Sequence, residues 1–224
     1  MLKQLLSIMK HKKYRIYNNP YQLNIVGMRS HSTHANSFDD LLFVFYKDER
    51  LRWNASAYSI TTDPGTYWLQ HPLNVDGTAI LKEGQYLDAY QIGLHKGQYK
   101  ALVQTKPVTV IRDYDRNAYL DFFNGNEKTG YFGINIHRAL AVGETKVINK
   151  WSAGCQVFSN AGDFAEFLAL CSKHRLYYGN KFTYTLIDHR AVGRQNRRWF
   201  LYGLAGASLI TAGTVTWFLL NEKS

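Results

Sequence analysis

Cysteine is scarce in this 224-residue chain, occurring only at Cys155 and Cys171, sixteen residues apart. That spacing leaves no CxxC pair, no metal-ligand cluster and no disulfide framework to hold a fold together. His31, His34, His71, His95 and His174 show no ligand spacing either, so no metal and no cofactor is expected. Acid is the scarcer charge, with 17 Asp and Glu against 27 Lys and Arg and a formal net charge of +10. Such an excess attracts polyanions, whether nucleic acid, lipid head groups or cell wall. Zinc-finger spacing, a recognition-helix pattern and an aromatic RNA-binding signature are all missing, which argues against nucleic acid as the partner. A secretory signal is missing too: the apolar stretch at the N-terminus is short and interrupted, and no small-residue cleavage site follows it.

What is present suits one folded domain with appendages, since 46% hydrophobic and 20% charged residues is an ordinary globular composition. The first fifteen residues carry five Lys or Arg and no acid, with Leu2, Leu5, Leu6 and Met9 at helical spacing. Residues 1–20 therefore read as a basic arm able to form an amphipathic helix. From 21 to 190 short β-type runs recur between turn residues: NIVGM, LLFVFY, YSITT, TYWLQ, YLDAYQIGL, KALVQ, PVTVI, YFGINIH and FTYTLI. They predict a mainly β domain, a mostly antiparallel sandwich or barrel with one or two short helices. Residues 115–129 read as a loop or short hairpin leading to a strand at 131–137. One helix is predicted after Ser159 and Asn160, either able to cap, because Phe164, Phe167, Leu168 and Cys171 recur at helical spacing. Cys171 is thereby a core residue.

Residues 199–220, WFLYGLAGASLITAGTVTWFLL, contain no charge and have Trp near both ends, as expected of a transmembrane helix. Arg190, Arg194, Arg197 and Arg198 precede it, residues 191–198 forming a basic juxtamembrane linker, and Glu222 and Lys223 lie in the 221–224 tail. The positive-inside tendency places the domain on the cytoplasmic face of a single-pass C-terminal anchor.

The strand GINIH sets Ile134 and Ile136 on one face and Asn135 and His137 on the other. After fourteen intervening residues comes Ser152-Ala153-Gly154-Cys155. A thiol needs a neighbouring base because the thiolate is the reacting species, and His137 can serve Cys155 in that way. Gly154, lacking Cβ, lets backbone N–H groups approach a substrate oxyanion.

HRALAVGETKVINKWSAGC resembles the motif of the L,D-transpeptidase catalytic domain (YkuD type): His, fourteen to seventeen residues, then Ser or Thr, His, Gly and Cys. Upstream, SITTDPGTYWL resembles that family's turn through Asp63, Pro64, Gly65, Thr66 and Tyr67, and LLFVFYKDERLRWNASAYSI looks like its opening hairpin. The resemblance implies an L,D-transpeptidase-like β domain without a metal, in which Cys155 attacks an acyl carbonyl of a peptidoglycan stem peptide and His137 is the base. Ser152, Ala153 and Gly154 then shape the turn and oxyanion site. Ala153 stands where the family has histidine, and Gln156 and Val157 stand where it often has Arg or Asn. Asn135, Arg138, Trp151 and Gln156 are the expected orienting or substrate-contacting residues.

Two functions follow as expectations. One is a membrane-anchored cysteine acyl-transfer enzyme on peptidoglycan, a transpeptidase or a peptide-cleaving hydrolase. The other is a wall-binding or virion-assembly protein whose chemistry has lapsed. Peptidoglycan and a lipid bilayer are the expected partners. Peptidoglycan lies outside the cytoplasmic membrane while the charge rule leaves the domain inside. The expected membrane is therefore the host cytoplasmic membrane or the internal membrane of a virion, where the domain would serve wall penetration or lysis.

Overall fold

The segments NIVGMR and DLLFVFYK are apolar at nearly every position, and strands of that kind require cover on both faces. In a computed structural model describing residues 1–123 and 125–191, they are β1 (Asn24–Arg29) and β2 (Asp40–Lys47). Ile25, Leu42 and Val44 face the main core. Val26, Leu41, Phe43 and Phe45 face the other way, where Leu5, Ile8 and Met9 of α1 (Leu2–His11) cover them. The basic arm thus begins with the expected helix. Its apolar stripe packs on the domain, while Lys3, Lys10 and Lys13 stay exposed.

β2 folds back on β3 (Trp53–Thr61) as a hairpin, with Asp40 opposite Ile60 and Lys47 opposite Trp53. The chain continues through α2 (Thr66–Gln70), β4 (Thr78–Leu81), β5 (Gly84–His95), β6 (Tyr99–Gln104), β7 (Val108–Asp113) and β8 (Glu127–Gly130). β9 (Ile136–Arg138), β10 (Gln156–Phe158), α3 (Ala161–Tyr178) and β11 (Phe182–Asp188) follow, with a 3-10 turn at His189–Ala191. Eight strands close a barrel in the order β1, β11, β5, β6, β9, β10, β3, β2. The β1–β11 and β9–β10 joints are parallel and the others antiparallel. β4, β7 and β8 form a second, antiparallel sheet with β7 in the middle. The architecture is mainly β with two sheets, and closure removes the exposed edges that an open sheet would carry.

Phe164, Phe167 and Cys171 of α3 join the barrel core, as their spacing predicts. The Oδ1 of Asn160 caps the helix by accepting from the N–H groups of Gly162 at 2.8 Å and Asp163 at 3.3 Å. Two expected strands are corrected. TYWLQ is the helix α2, because Gly65 holds an extended conformation and its carbonyl accepts from the N–H groups of Trp68 and Leu69. Leu69 is thereby buried with Ile80, Leu120 and Phe122. The strand expected at 131–137 shrinks to β9, because the N–H groups of Phe132 and Ile134 go to the Gln104 side chain at 3.1 and 3.0 Å instead of a ladder. Residues 127–130 of the expected loop form β8. The apolar run 199–220 and its preceding arginines from 194 lie outside the described residues. Among those described, no helix is long and apolar enough to cross a membrane.

Candidate active site

The two motifs that are far apart in sequence meet in space. Gly65 donates its N–H to the Ser152 carbonyl at 2.9 Å, and the Trp68 indole donates to the Lys150 carbonyl at 3.0 Å. A side chain at Gly65 would bring its Cβ to 2.0 Å from the Asn149 carbonyl oxygen, so the DPGTY turn requires glycine there. Behind the turn, the buried Arg29 guanidinium contacts Asp63 at 2.8 Å and donates to the carbonyls of Thr62 and Leu81 at 3.2 and 2.9 Å. Asp40 fixes the same stretch by accepting from the N–H groups of Ser30 and Thr62.

Inside the cysteine loop, Ser152 Oγ donates to the Cys155 carbonyl at 2.8 Å and accepts from the Gly154 N–H at 3.1 Å. Gly154 has φ +119°, and a Cβ there would sit 2.2 Å from the Ala79 carbonyl oxygen of β4. With its N–H given to Ser152, this glycine contributes conformation and close approach rather than an oxyanion donor. Gln156 points inward and is wholly buried, its Oε1 accepting from Tyr184 at 2.7 Å. Its amide nitrogen donates to the Gly154 carbonyl at 3.3 Å. Tyr184 fits there because Gly27 has no side chain; a Cβ on Gly27 would lie 1.9 Å from the tyrosine oxygen. The expected substrate contact at Gln156 is therefore replaced by a structural one: the residue ties the cysteine loop to the barrel interior.

The parallel pairing of β9 with β10 sets Gln156 beside Ile136 and Val157 beside His137. Gln156 and Ile136 face the interior, so Cys155, Asn135 and His137 share the opposite face. Cys155 is partly exposed; its Sγ accepts from the Asn135 N–H at 3.5 Å and donates to the Gly133 carbonyl at 3.3 Å. His137 Nδ1 lies 2.9 Å from the Arg138 carbonyl and 3.2 Å from the Tyr99 hydroxyl. A carbonyl only accepts, so Nδ1 carries the proton and Nε2 is the basic nitrogen.

A second imidazole, His95 at the end of β5, stacks on His137 with ring centroids 4.0 Å apart. Asn135 fixes it. The Asn135 Oδ1 accepts from the Gln104 N–H at 2.9 Å, which turns Nδ2 toward His95 Nδ1 at 3.1 Å. Asn135 thus positions His95 and reaches His137 only through it. The Arg138 guanidinium lies 4.6 Å from the Tyr99 ring centroid and donates to the Ala141 carbonyl at 2.7 Å. Trp151 is exposed and Ala153 half-buried beside the cysteine.

Burial, followed by the neighbouring His95, drives the His137 pKa down to about 3. Burial raises the Cys155 thiol, against the opposing effects of the Asn135 N–H and Lys96. Both groups are therefore neutral at pH 7: the proton sits on sulfur and the imidazole is an empty acceptor. This differs from a preformed thiolate–imidazolium pair.

His95 and Tyr99 are the site residues that motif reading missed. Their signal is HKGQY between two strand runs, a tight turn that sets His95 opposite Tyr99. No protein-family model matches the chain, and no curated protein or solved structure shows significant similarity to it.

Proposed function

We propose that the chain is a cysteine acyl-transfer enzyme with an L,D-transpeptidase-like fold, acting on peptidoglycan stem peptides and tethered to a membrane through residues 199–220. The observation that best supports this reading is that Cys155 and the oriented imidazole of His137 lie on one face of the paired segments β9 and β10, while the DPGTY turn is bonded to the cysteine loop at Ser152. In the reaction, Cys155 Sγ bonds to the carbonyl carbon of a peptide amide while its proton passes to His137 Nε2. As the carbon–nitrogen bond breaks, that proton leaves with the amine. An incoming amine or water, deprotonated by His137, then releases the acyl group and restores the thiol, giving transpeptidation or hydrolysis. The Arg138 carbonyl stabilises the imidazolium formed between these steps, and Tyr99 adds a second contact at Nδ1. The net positive charge favours approach to the anionic wall. Placed on the outer face of a virion's internal membrane, the domain would meet the wall from outside and serve penetration or lysis.

A second reading, a wall-binding or virion-assembly protein whose chemistry has lapsed, is favoured by Ala153 and by the 3% exposure of His137. One experiment separates the two. The full chain in detergent, incubated with purified peptidoglycan, should change the mass spectrum of released muropeptides, and Cys155→Ala and His137→Gln should each abolish the change. Activity surviving Cys155→Ala would eliminate the proposed nucleophile. An inert wild-type chain whose Cys155 is alkylated as slowly as Cys171 would establish the second reading.

A further inference from the structure

Away from the cysteine face, three carboxylates converge where β7 runs into the following loop. Asp113, Asp115 and Asp121 each place one carboxylate oxygen within 4.8 Å of those of the other two. None of them takes part in an ion pair with Lys, Arg or His among the described residues. The decisive observation concerns Asp113, whose side chain is wholly buried. Its Oδ2 accepts from the Asp121 N–H at 3.0 Å, but its Oδ1 is buried with no hydrogen-bond partner among the described residues. A carboxylate oxygen removed from water and given no donor is costly, and a cluster of like charges around it adds to the cost.

We propose that Asp113, Asp115 and Asp121 bind a calcium ion, each lending a carboxylate oxygen, and that the ion offsets the cost of the buried, unpartnered Asp113 carboxylate oxygen. The donor set is all oxygen and triply negative, which suits a hard divalent cation and disfavours zinc or copper. Calcium sits about 2.3–2.6 Å from its ligands, so oxygens up to roughly 5 Å apart fit around a single ion, whereas magnesium requires a tighter octahedron. Remaining positions are open to water on the exposed Asp115 side. Asp113 has its pKa pushed up to about 6, first by burial and then by Asp115 and Asp121, and a bound cation removes that penalty.

The ion would fasten a loop that supports the site described above. Leu120, next to Asp121, packs on Leu69 of α2 and Ile80 of β4. Phe122 presents its ring to Arg29 at 5.0 Å and to Arg190 at 3.3 Å, so the loop closes over the arginine behind the DPGTY turn. The site is structural and contributes nothing to the acyl-transfer chemistry itself.

The test uses the full chain in detergent, stripped with a chelator and titrated with calcium chloride by calorimetry, while thermal unfolding is followed in parallel. The expected result is a single saturable site and a melting temperature that rises with calcium concentration. Asp115→Asn, at the exposed carboxylate, should weaken binding by about tenfold or more, and Asp121→Asn should do the same, with far-UV circular dichroism confirming that each variant is folded. Failure to saturate below roughly 10 mM calcium would overturn the proposal. So would binding that is indifferent to Asp115→Asn and Asp121→Asn, or equal affinity for magnesium.

Discussion

Replacing His137 by Phe should make the protein more resistant to acid, although it removes the proposed base. The imidazole is buried against His95 and its pKa falls to about 3, whereas in an unfolded chain it returns to about 6.5. Between those values the unfolded state binds a proton that the folded state does not. Stability is therefore fully present above pH 6.5 and is lost as pH falls toward 3. Linkage gives a loss of about 2 kcal/mol between pH 7 and pH 5 from this group alone, growing by roughly 1.4 kcal/mol for each further unit until pH 3. Phenylalanine keeps a flat ring against His95 and cannot take up the proton. Urea unfolding of both proteins at pH 7, 6 and 5 should show stability curves that converge or cross as pH falls, with the wild type losing about 2 kcal/mol more across that range. Parallel curves would mean that His137 titrates normally in the folded state, and the neutral resting pair would have to be abandoned.

Two further substitutions test the surroundings. Gly154→Ala meets both a positive φ and the Ala79 carbonyl oxygen at 2.2 Å. It should cost about 2 kcal/mol or more in chemical denaturation and alter the alkylation rate of Cys155, whereas a neutral outcome would show that the loop shifts freely. Arg29→Met leaves Asp63 without its 2.8 Å partner in a buried setting and should cost about 3–5 kcal/mol by the same measurement. A loss below about 1 kcal/mol would show that Asp63 and Asp40 are neutral in the fold.

Local signals were legible in the sequence and contacts between distant segments were not. The strand runs of β2 and β3, the Asn160 cap and the α3 stripe each depend on neighbours within a few residues, and each lies where the local pattern puts it. TYWLQ misled because five residues of mixed aromatic and polar character fit either periodicity, and the preceding Gly65 carbonyl decided for a helix. Gln156 misled because β10 has only three residues and is buried on both faces, so alternation gave no inside and outside. The segments carrying Cys155 and His137 do lie side by side, through the parallel pairing of β9 with β10. The stack of His95 on His137 was not legible, because only the barrel order β5, β6, β9 brings the β5–β6 turn onto the β9 strand. Arg29 offered a weak clue as the one charge within an otherwise apolar strand, NIVGMR.

The place of β11 in the barrel bears on how the molecule is made. This last strand of the described chain lies between β1 and β5, both synthesised long before it. Until residues 182–188 emerge, those two strands face each other across a gap with unpaired backbone and the Tyr184 seat over Gly27 empty. A nascent chain stopped inside α3 would already contain Cys155, His137 and the DPGTY turn, yet its barrel would be unsealed and Gln156 would lack its tyrosine partner. Closure of the barrel behind the cysteine face therefore waits on a strand that contributes no group to that face.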